Sequence, residues 1–240
     1  QKRVPRCGPA DAGPAPARDM AHGAYTPQQM LRLCAHLRQA FASLDSARLR
    51  GLVKPAIEHV HLLRPGELAM VLNQLANSQV TDKQTWQRLS DALPEVFVDP
   101  DCMSLGVAAN AYSKASVRHS GALEAIAAHA RALGSRGEVD GRSAAMVVNG
   151  FSKLRQRDEG LLEVLAAGLL PRIWELNSID LATIANGFAR LAFHDKKLFD
   201  ALQAPTLKAM GSFTVQNLAM LAHAHAKLQR RDQELLSCVA

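Results

Sequence analysis

Apolar and polar residues follow each other along most of the chain with the spacing of an α-helix, and one such pattern recurs five times. The five copies open at Leu68, Leu105, Ala144, Leu181 and Leu218, which are 37, 39, 37 and 37 residues apart. Counted from the opening residue of each copy, positions 1, 4, 5, 8 and 11 are mostly apolar. Residues with this spacing lie on one side of an α-helix, so each copy predicts a helix with one buried face.

A second helix is predicted after a short polar turn in each copy. Position 15 of the copies holds Asp82, His119, Asp158, Asp195 and Asp232. Asp is favoured as an N-cap because its carboxylate accepts from free backbone N–H groups. Two helices of about 12–15 residues with two turns fill such a unit, and no stretch has the alternating pattern of a strand. The predicted fold is all-α, a right-handed α-solenoid of about five to six helix-turn-helix repeats.

The chain divides into three segments by composition and pattern. Residues 1–24 form a basic tail rich in Pro and Ala, which we expect to lie against a partner; packing on its own domain is the alternative. Residues 25–65 are interpreted as a divergent N-terminal repeat that acts as a cap. Residues 66–240 hold five hairpins, the last incomplete. The first residue is not Met and the pattern stops inside a helix, so we expect the chain to be part of a longer protein.

Two positions of the first helix stay polar in every copy, and they lie one turn apart on the same face. Position 6, which we call the amide column, carries Asn73, Asn110, Asn149 and Asn186, and then His223. Position 10, which we call the cation column, carries Asn77, Lys114, Lys153, Arg190 and Lys227. Stacked repeats would align these side chains into two parallel ladders with rungs about 8–10 Å apart.

These ladders predict an RNA-binding surface, because cations neutralise phosphates and amides bind base edges. Further basic residues follow the first helices, namely Arg118, Arg157, Arg230 and Arg231, and the formal net charge is +6. Two structural alternatives stay open: asparagines that satisfy backbone groups of the next repeat, and lysines that form only a solvated face. The position-8 residues Tyr112, Phe151, Phe188 and His225 are predicted to pack in the core.

The sequence carries no motif that points to catalysis or to a cofactor. A GxxxxGK phosphate loop is absent. The HxH pairs point about 200° apart on a helix, so neither can chelate one metal. The four cysteines are scattered, which favours a reducing compartment, and no apolar run is long enough for a membrane span. We therefore expect no catalytic residues, no metal, no cofactor and no membrane insertion.

The pattern L-A-x-x-x-N-x-[FY]-[AS]-[KR]-L, followed by Asp at position 15, resembles organellar helical-hairpin repeats. These are the octotricopeptide and heptatricopeptide repeats, as in RAP-domain and FAST-kinase-like proteins. Residues 144–154 and 181–191 carry the resemblance best, while residues 68–78 depart from it at positions 8 to 11. The resemblance implies mitochondrial RNA binding through the amide and cation columns. No RAP-like domain is visible, so no nuclease-like activity is carried over.

The expected function is therefore that of a non-catalytic RNA-binding repeat protein, a structural component of a mitochondrial ribosome. Its expected partners are RNA, in the first place ribosomal RNA, and other proteins of a large assembly through the N-terminal tail. Two alternatives remain: a protein-binding scaffold subunit of a respiratory complex or ATP synthase, and a soluble organellar RNA-processing factor.

Overall fold

The structure is a computed structural model that describes residues 46–229 continuously and a few isolated residues between 28 and 39. Residues 46–229 form ten α-helices and no strand, which confirms the all-α prediction. The helices are α1 (Ser46–Glu58), α2 (Pro65–Asn77), α3 (Lys83–Val96), α4 (Cys102–Ala115), α5 (Ser120–Ser135), α6 (Gly141–Leu154), α7 (Glu159–Leu169), α8 (Ser178–Arg190), α9 (Lys196–Lys208) and α10 (Val215–Lys227). The predicted N-terminal tail and the residues Arg230, Arg231 and Asp232 lie outside the described part.

The helices form two layers, as expected for stacked hairpins. The first helices of the repeats are α2, α4, α6, α8 and α10, and each packs extensively on the next. The second helices α3, α5, α7 and α9 pack on one another in the same order, with α1 next to α3. The predicted repeat architecture is therefore confirmed within residues 46–229, where each of the first four repeats contributes one helix to each layer.

Small residues at position 7 let the first helices approach closely. A Cβ atom added to Gly150 would lie 2.6 Å from the carbonyl oxygen of Ala109, in the first helix of the preceding repeat. A Cβ on Gly187 would collide with the Val148 side chain. At Gly150 the first helices are therefore held at a distance that only glycine allows, whereas a larger residue at Gly187 would have to displace the Val148 side chain.

Each first helix ends in the same way, at position 12. Gln79, Ser116, Arg155, Ala192 and Gln229 all have left-handed backbone conformations, with φ between 53° and 56°. The N–H of the residue after Ser116 donates to the carbonyl of Tyr112 at 3.0 Å, and three other repeats repeat this bond. This pairing satisfies helix carbonyls that would otherwise have no partner. None of the five residues is glycine, although this conformation favours glycine.

The predicted N-caps of the second helices are confirmed wherever they are described. The carboxylates of Asp82, Asp158 and Asp195 each accept from the backbone N–H three residues on, at 2.8 Å. In the second repeat, Nδ1 of His119 accepts from the Ala122 N–H at 3.2 Å. The turns thus have equivalent geometry although one of them uses a different residue type.

The position-8 residues lie in the core, as predicted. Tyr112, Phe151 and Phe188 are at most 1% exposed, and His225 is also buried. The Tyr112 hydroxyl donates to Ser90 Oγ at 2.9 Å, which joins the first-helix layer to the second-helix layer. Burial raises the pKa of Tyr112 well above its usual value. These aromatic side chains are therefore unavailable to a ligand on the surface.

Candidate nucleic-acid interface

The amide and cation columns lie on the free face of the first-helix layer. The four asparagines of position 6 are half-buried, and all five residues of position 10 are exposed. Both positions lie on one side of each helix because they are separated by one turn. Stacking of the first helices therefore brings the predicted columns side by side, at right angles to the helix axes.

At two junctions between repeats, residues at equivalent positions form hydrogen bonds with each other. Lys114 Nζ donates to Asn77 Oδ1 at 2.6 Å, and both residues occupy position 10. Lys227 Nζ donates to the backbone oxygen of Arg190 at 3.2 Å. In the amide column, His223 Nδ1 lies 2.9 Å from Asn186 Oδ1. The columns are therefore continuous at the first pair of repeats and at the last.

The side chains of Asn73, Asn110 and Asn149 form no hydrogen bond with any residue of the described part. The backbone oxygens of Asn110 and Asn149 accept from Ser113 and Ser152, but the amides themselves stay open to solvent. The structural alternative, in which these amides satisfy the backbone of the next repeat, is therefore not seen here. Each amide keeps both its donors and its acceptor for a ligand.

The cation column has no acidic counterpart. Within residues 46–229, the ion pairs of arginine lie in the second helices and the turns, between Arg131 and both Glu124 and Asp158, Arg136 and Glu138, and Arg157 and Glu159. The described first helices contain two carboxylates, the buried Glu67 and the half-buried Asp180. Burial raises the pKa of Asp180. Within residues 46–229, no carboxylate pairs with the cations of the column, so their positive charge faces the solvent.

The four cations of the column also have a structural role. Lys114, Lys153, Arg190 and Lys227 all lie in the last turn of their helices. A cation there interacts favourably with the partial negative charge of the helix end, typically by about 0.3–1 kcal/mol. Helix stability alone does not require that all four also line up on one exposed face.

The remaining predicted basic residues follow the cation column into the turns. Arg118 and Arg157 are exposed after α4 and α6, but Arg157 is paired with Glu159 at 2.7 Å. Three further basic residues at the same edge are exposed and were not predicted from the sequence: Arg155, Lys196 and Lys197. These residues could have been found from the sequence, because the turns between the first and second helices are rich in basic residues. This edge of the solenoid is therefore basic as well.

A third column was missed. Position 3 holds mostly apolar residues, which are typical of buried positions, but its residues are half-buried in all five repeats: Met70, Val107, Met146, Thr183 and Met220. Position 3 lies one turn before position 6, on the same face of the helix. The arrangement of the helices in two layers is what shows that this position is left open. We call this set the apolar column.

Other classes of site are not evident in the described residues. No group of three or more potential metal ligands occurs among them. None of their helices is both long enough and apolar enough to cross a membrane. The free face of the first helices is thus the surface with the most organised chemistry between residues 46 and 229.

A protein-family comparison matches the C-terminal part of the chain. The family model of the RNA-editing substrate-binding complex 6 protein matches residues 137–240. This range contains α6 to α10 and is less than half of the chain. No curated protein matches the chain. The resemblance to octotricopeptide and heptatricopeptide repeats stays a prediction. The chain is similar to the RNA-editing substrate-binding complex 6 family over residues 137–240, which include three of the five rungs of each column.

Proposed function

We propose that this protein is a non-catalytic helical-repeat protein that binds single-stranded RNA along the free face of its first helices. The observation that carries the proposal is the cation column. It places Lys114, Lys153, Arg190 and Lys227 on one exposed face without a described carboxylate partner. A regularly spaced row of uncompensated cations fits a polyanion with regularly spaced charges.

The amide column favours RNA over a simple polyanion. Its side chains lie next to the cations and offer donors and acceptors at each repeat. Helical-repeat RNA readers use such side chains to bind one base per repeat. A single strand exposes its base edges, whereas side chains cannot read the deep, narrow major groove of an RNA duplex, and its minor groove is recognised mostly by shape. We therefore propose a single strand as the ligand.

The assembly proposed for this protein is an organellar, mitochondrial ribonucleoprotein. The family matched by residues 137–240 is named for an RNA-editing substrate-binding complex, which supports an RNA-binding scaffold in such a complex. The resemblance of the repeats to organellar hairpin repeats supports a mitochondrial ribosome. Sedimentation of native protein after a salt wash separates the two, because a ribosomal component stays with a ribosomal subunit.

A gel-shift series tests the RNA-binding proposal. Replacing Lys114, Lys153, Arg190 and Lys227 together by Ala should weaken binding of single-stranded RNA. It should also flatten the dependence of log K on log salt by about 0.7 per lost phosphate contact, because fewer counterions are released. Circular dichroism checks that the variant keeps its helical content.

We call the part of the free face that is formed by the three columns the strip. The matched control removes the same number of charges from outside this strip. Lys54, Arg136, Arg172 and Lys208 lie in the second-helix layer or at the opposite edge. Their replacement by Ala lowers the net charge equally, and we expect a much smaller effect on the salt dependence. Equal effects of the two variants would contradict a specific role for the cation column.

A protein-binding scaffold is the second candidate, and a different surface favours it. The exposed large apolar side chains of the described part are Leu62, Val98, Met103, Trp174, Ile179 and Val215. All six lie where a second helix is followed by the next first helix. Crosslinking of the native assembly tests this candidate: protein crosslinks concentrated at this edge support it, and their absence there contradicts it.

A further inference from the structure

We infer that the apolar column is the surface on which the bases of the bound strand stack. The inference rests on the proposed function and adds an orientation to it. The phosphates then follow the cation column at the C-terminal ends of the first helices. The bases point across the amide column toward the N-terminal ends, where their faces meet Met70, Val107, Met146 and Met220.

The three columns have the right order and width for this arrangement. Positions 3, 6 and 10 follow one another along a helix face, and seven residues correspond to about 10 Å at the helical rise. The amide column lies between the other two. A nucleotide whose phosphate lies on the cation column therefore has to pass the amides before its base reaches the apolar column.

The position-3 side chains are partly packed against the protein and partly exposed to solvent. Val107 and Met220 pack against the core, yet each remains half-exposed. Met146 lies over Gly106 of the preceding first helix, where a Cβ atom would approach the Met146 Cβ to 3.2 Å. Met70 lines an open cavity of ≈ 300 Å³ between the starts of α2 and α4. Such side chains expose apolar surface that the face of a base would cover.

The residue type suits this ligand. Methionine is unbranched and polarizable, so its side chain adapts to a flat partner and makes favourable sulfur contacts with aromatic rings. Every base has an aromatic face, which makes stacking tolerant of sequence. Covering partly exposed apolar side chains is itself favourable in water. Three of the five position-3 residues are methionine, and these account for three of the seven in the chain.

Charge at the two borders of the strip favours the same orientation. The cations of the column lie at the C-terminal ends of the first helices, and the carboxylates Asp101, Asp140 and Asp180 lie at the N-terminal ends. The carboxylates in the turns after the first helices, Asp82, Asp158 and Asp195, accept from backbone N–H groups at the starts of the second helices. Arg64, Arg136 and Arg142 also lie at the N-terminal border, but each is close to a carboxylate. Arg64 lines a cavity with Asp99 and Asp101, Arg136 is paired with Glu138, and Arg142 interacts with Asp180. Phosphates are attracted to one border and are repelled or left without a partner at the other. The bases therefore occupy the N-terminal half of the strip.

The test separates base stacking from phosphate binding. Met70, Met146 and Met220 are replaced together by Gln, which keeps the length of the side chain and a high helix propensity. Binding of the full chain to single-stranded RNA should fall about tenfold or more. The slope of log K against log salt should stay unchanged, because no phosphate contact is lost. Binding to inorganic polyphosphate should also stay unchanged, because polyphosphate has no bases.

Two further variants test whether the effect on RNA binding is specific to position 3. Met210→Gln, in the short helical turn after α9, is the control and should bind RNA like the wild type. Thr183→Met completes the column in the fourth repeat and should tighten RNA binding severalfold. This second variant decides the question if the triple variant fails to fold by circular dichroism.

Three results would overturn the inference. One is unchanged RNA affinity in a folded triple variant. Another is an equal loss of RNA and polyphosphate binding, since this indicates a general defect of the strip. The last is unchanged affinity in Thr183→Met. A wild-type protein that binds no RNA overturns the proposed function as well, which is a different result from wild-type binding that is insensitive to position 3.

Discussion

At the residue scale, the spacing of the columns depends on glycines between the first helices. Gly150→Ala would place a Cβ 2.6 Å from the Ala109 oxygen, and a helix backbone cannot move away locally. We expect a loss of about 1–3 kcal/mol in the free energy of unfolding. Gly168→Ala is the control, because nothing lies within 4 Å of its added Cβ. It should stabilise the protein by up to about 1 kcal/mol. Equal effects in urea denaturation would contradict the close packing.

The left-handed helix ending at position 12 can be tested by a second pair of substitutions. Ala192 has a φ of 53°, which is costly for a residue with a Cβ. Ala192→Gly should therefore stabilise the protein by about 0.5–1 kcal/mol. Ala128→Gly, at an exposed position inside α5, should instead destabilise it by about the same amount. Thermal denaturation of both variants measures the difference, and a destabilising Ala192→Gly would refute the shared helix ending.

At the scale of elements, the N-cap of α6 links two repeats. Asp140 accepts from the Ser143 N–H at 2.9 Å, from Ser143 Oγ at 2.7 Å and from Cys102 Sγ at 2.9 Å. Burial alone would raise the pKa of Asp140, but these hydrogen bonds outweigh it and hold the pKa below its usual value. The charged carboxylate therefore stabilises the folded state above the unfolded pKa, and this contribution is lost as the pH falls through the folded pKa.

Asp140→Asn tests this cap, because Asn is a good N-cap but cannot titrate. The wild type should be more stable than the variant at pH 7, and the difference should shrink as the pH falls below about 4. Urea denaturation at several pH values measures it. Cys102→Ala removes one of the bonds and should reduce the pH dependence in part. A wild-type advantage that stays constant down to pH 3 would contradict the assignment.

The helices and their N-caps were easier to predict from the sequence than the exposure of individual side chains. The 37-residue spacing of Leu181 and Leu218, with Asp195 at position 15, was sufficient to predict the helices and the caps of the second helices. The exposure of position 3 was not predictable in the same way. An apolar residue such as Met146 is typical of a buried position, and only the two-layer arrangement shows that one face of the first helix is left open.

At the scale of the whole molecule, charge and apolar surface are separated. The basic column and the basic turns lie along one edge of the described solenoid, near the C-terminal ends of the first helices. The exposed apolar side chains lie along the other edge, as Trp174 and Val215 illustrate. The exposed ion pairs of the second helices contribute little to stability. Under the proposed function, RNA and protein partners would contact different edges of the solenoid.

We propose that RNA lies on the free face of the first helices. Photocrosslinking of single-stranded RNA containing 4-thiouridine, followed by mass spectrometry of the crosslinked peptides, is the decisive test. We expect crosslinks within α4, α6, α8 and α10, at or beside positions 3, 6 and 10. Crosslinks confined to α5, α7 and α9, which form the opposite layer, would contradict it.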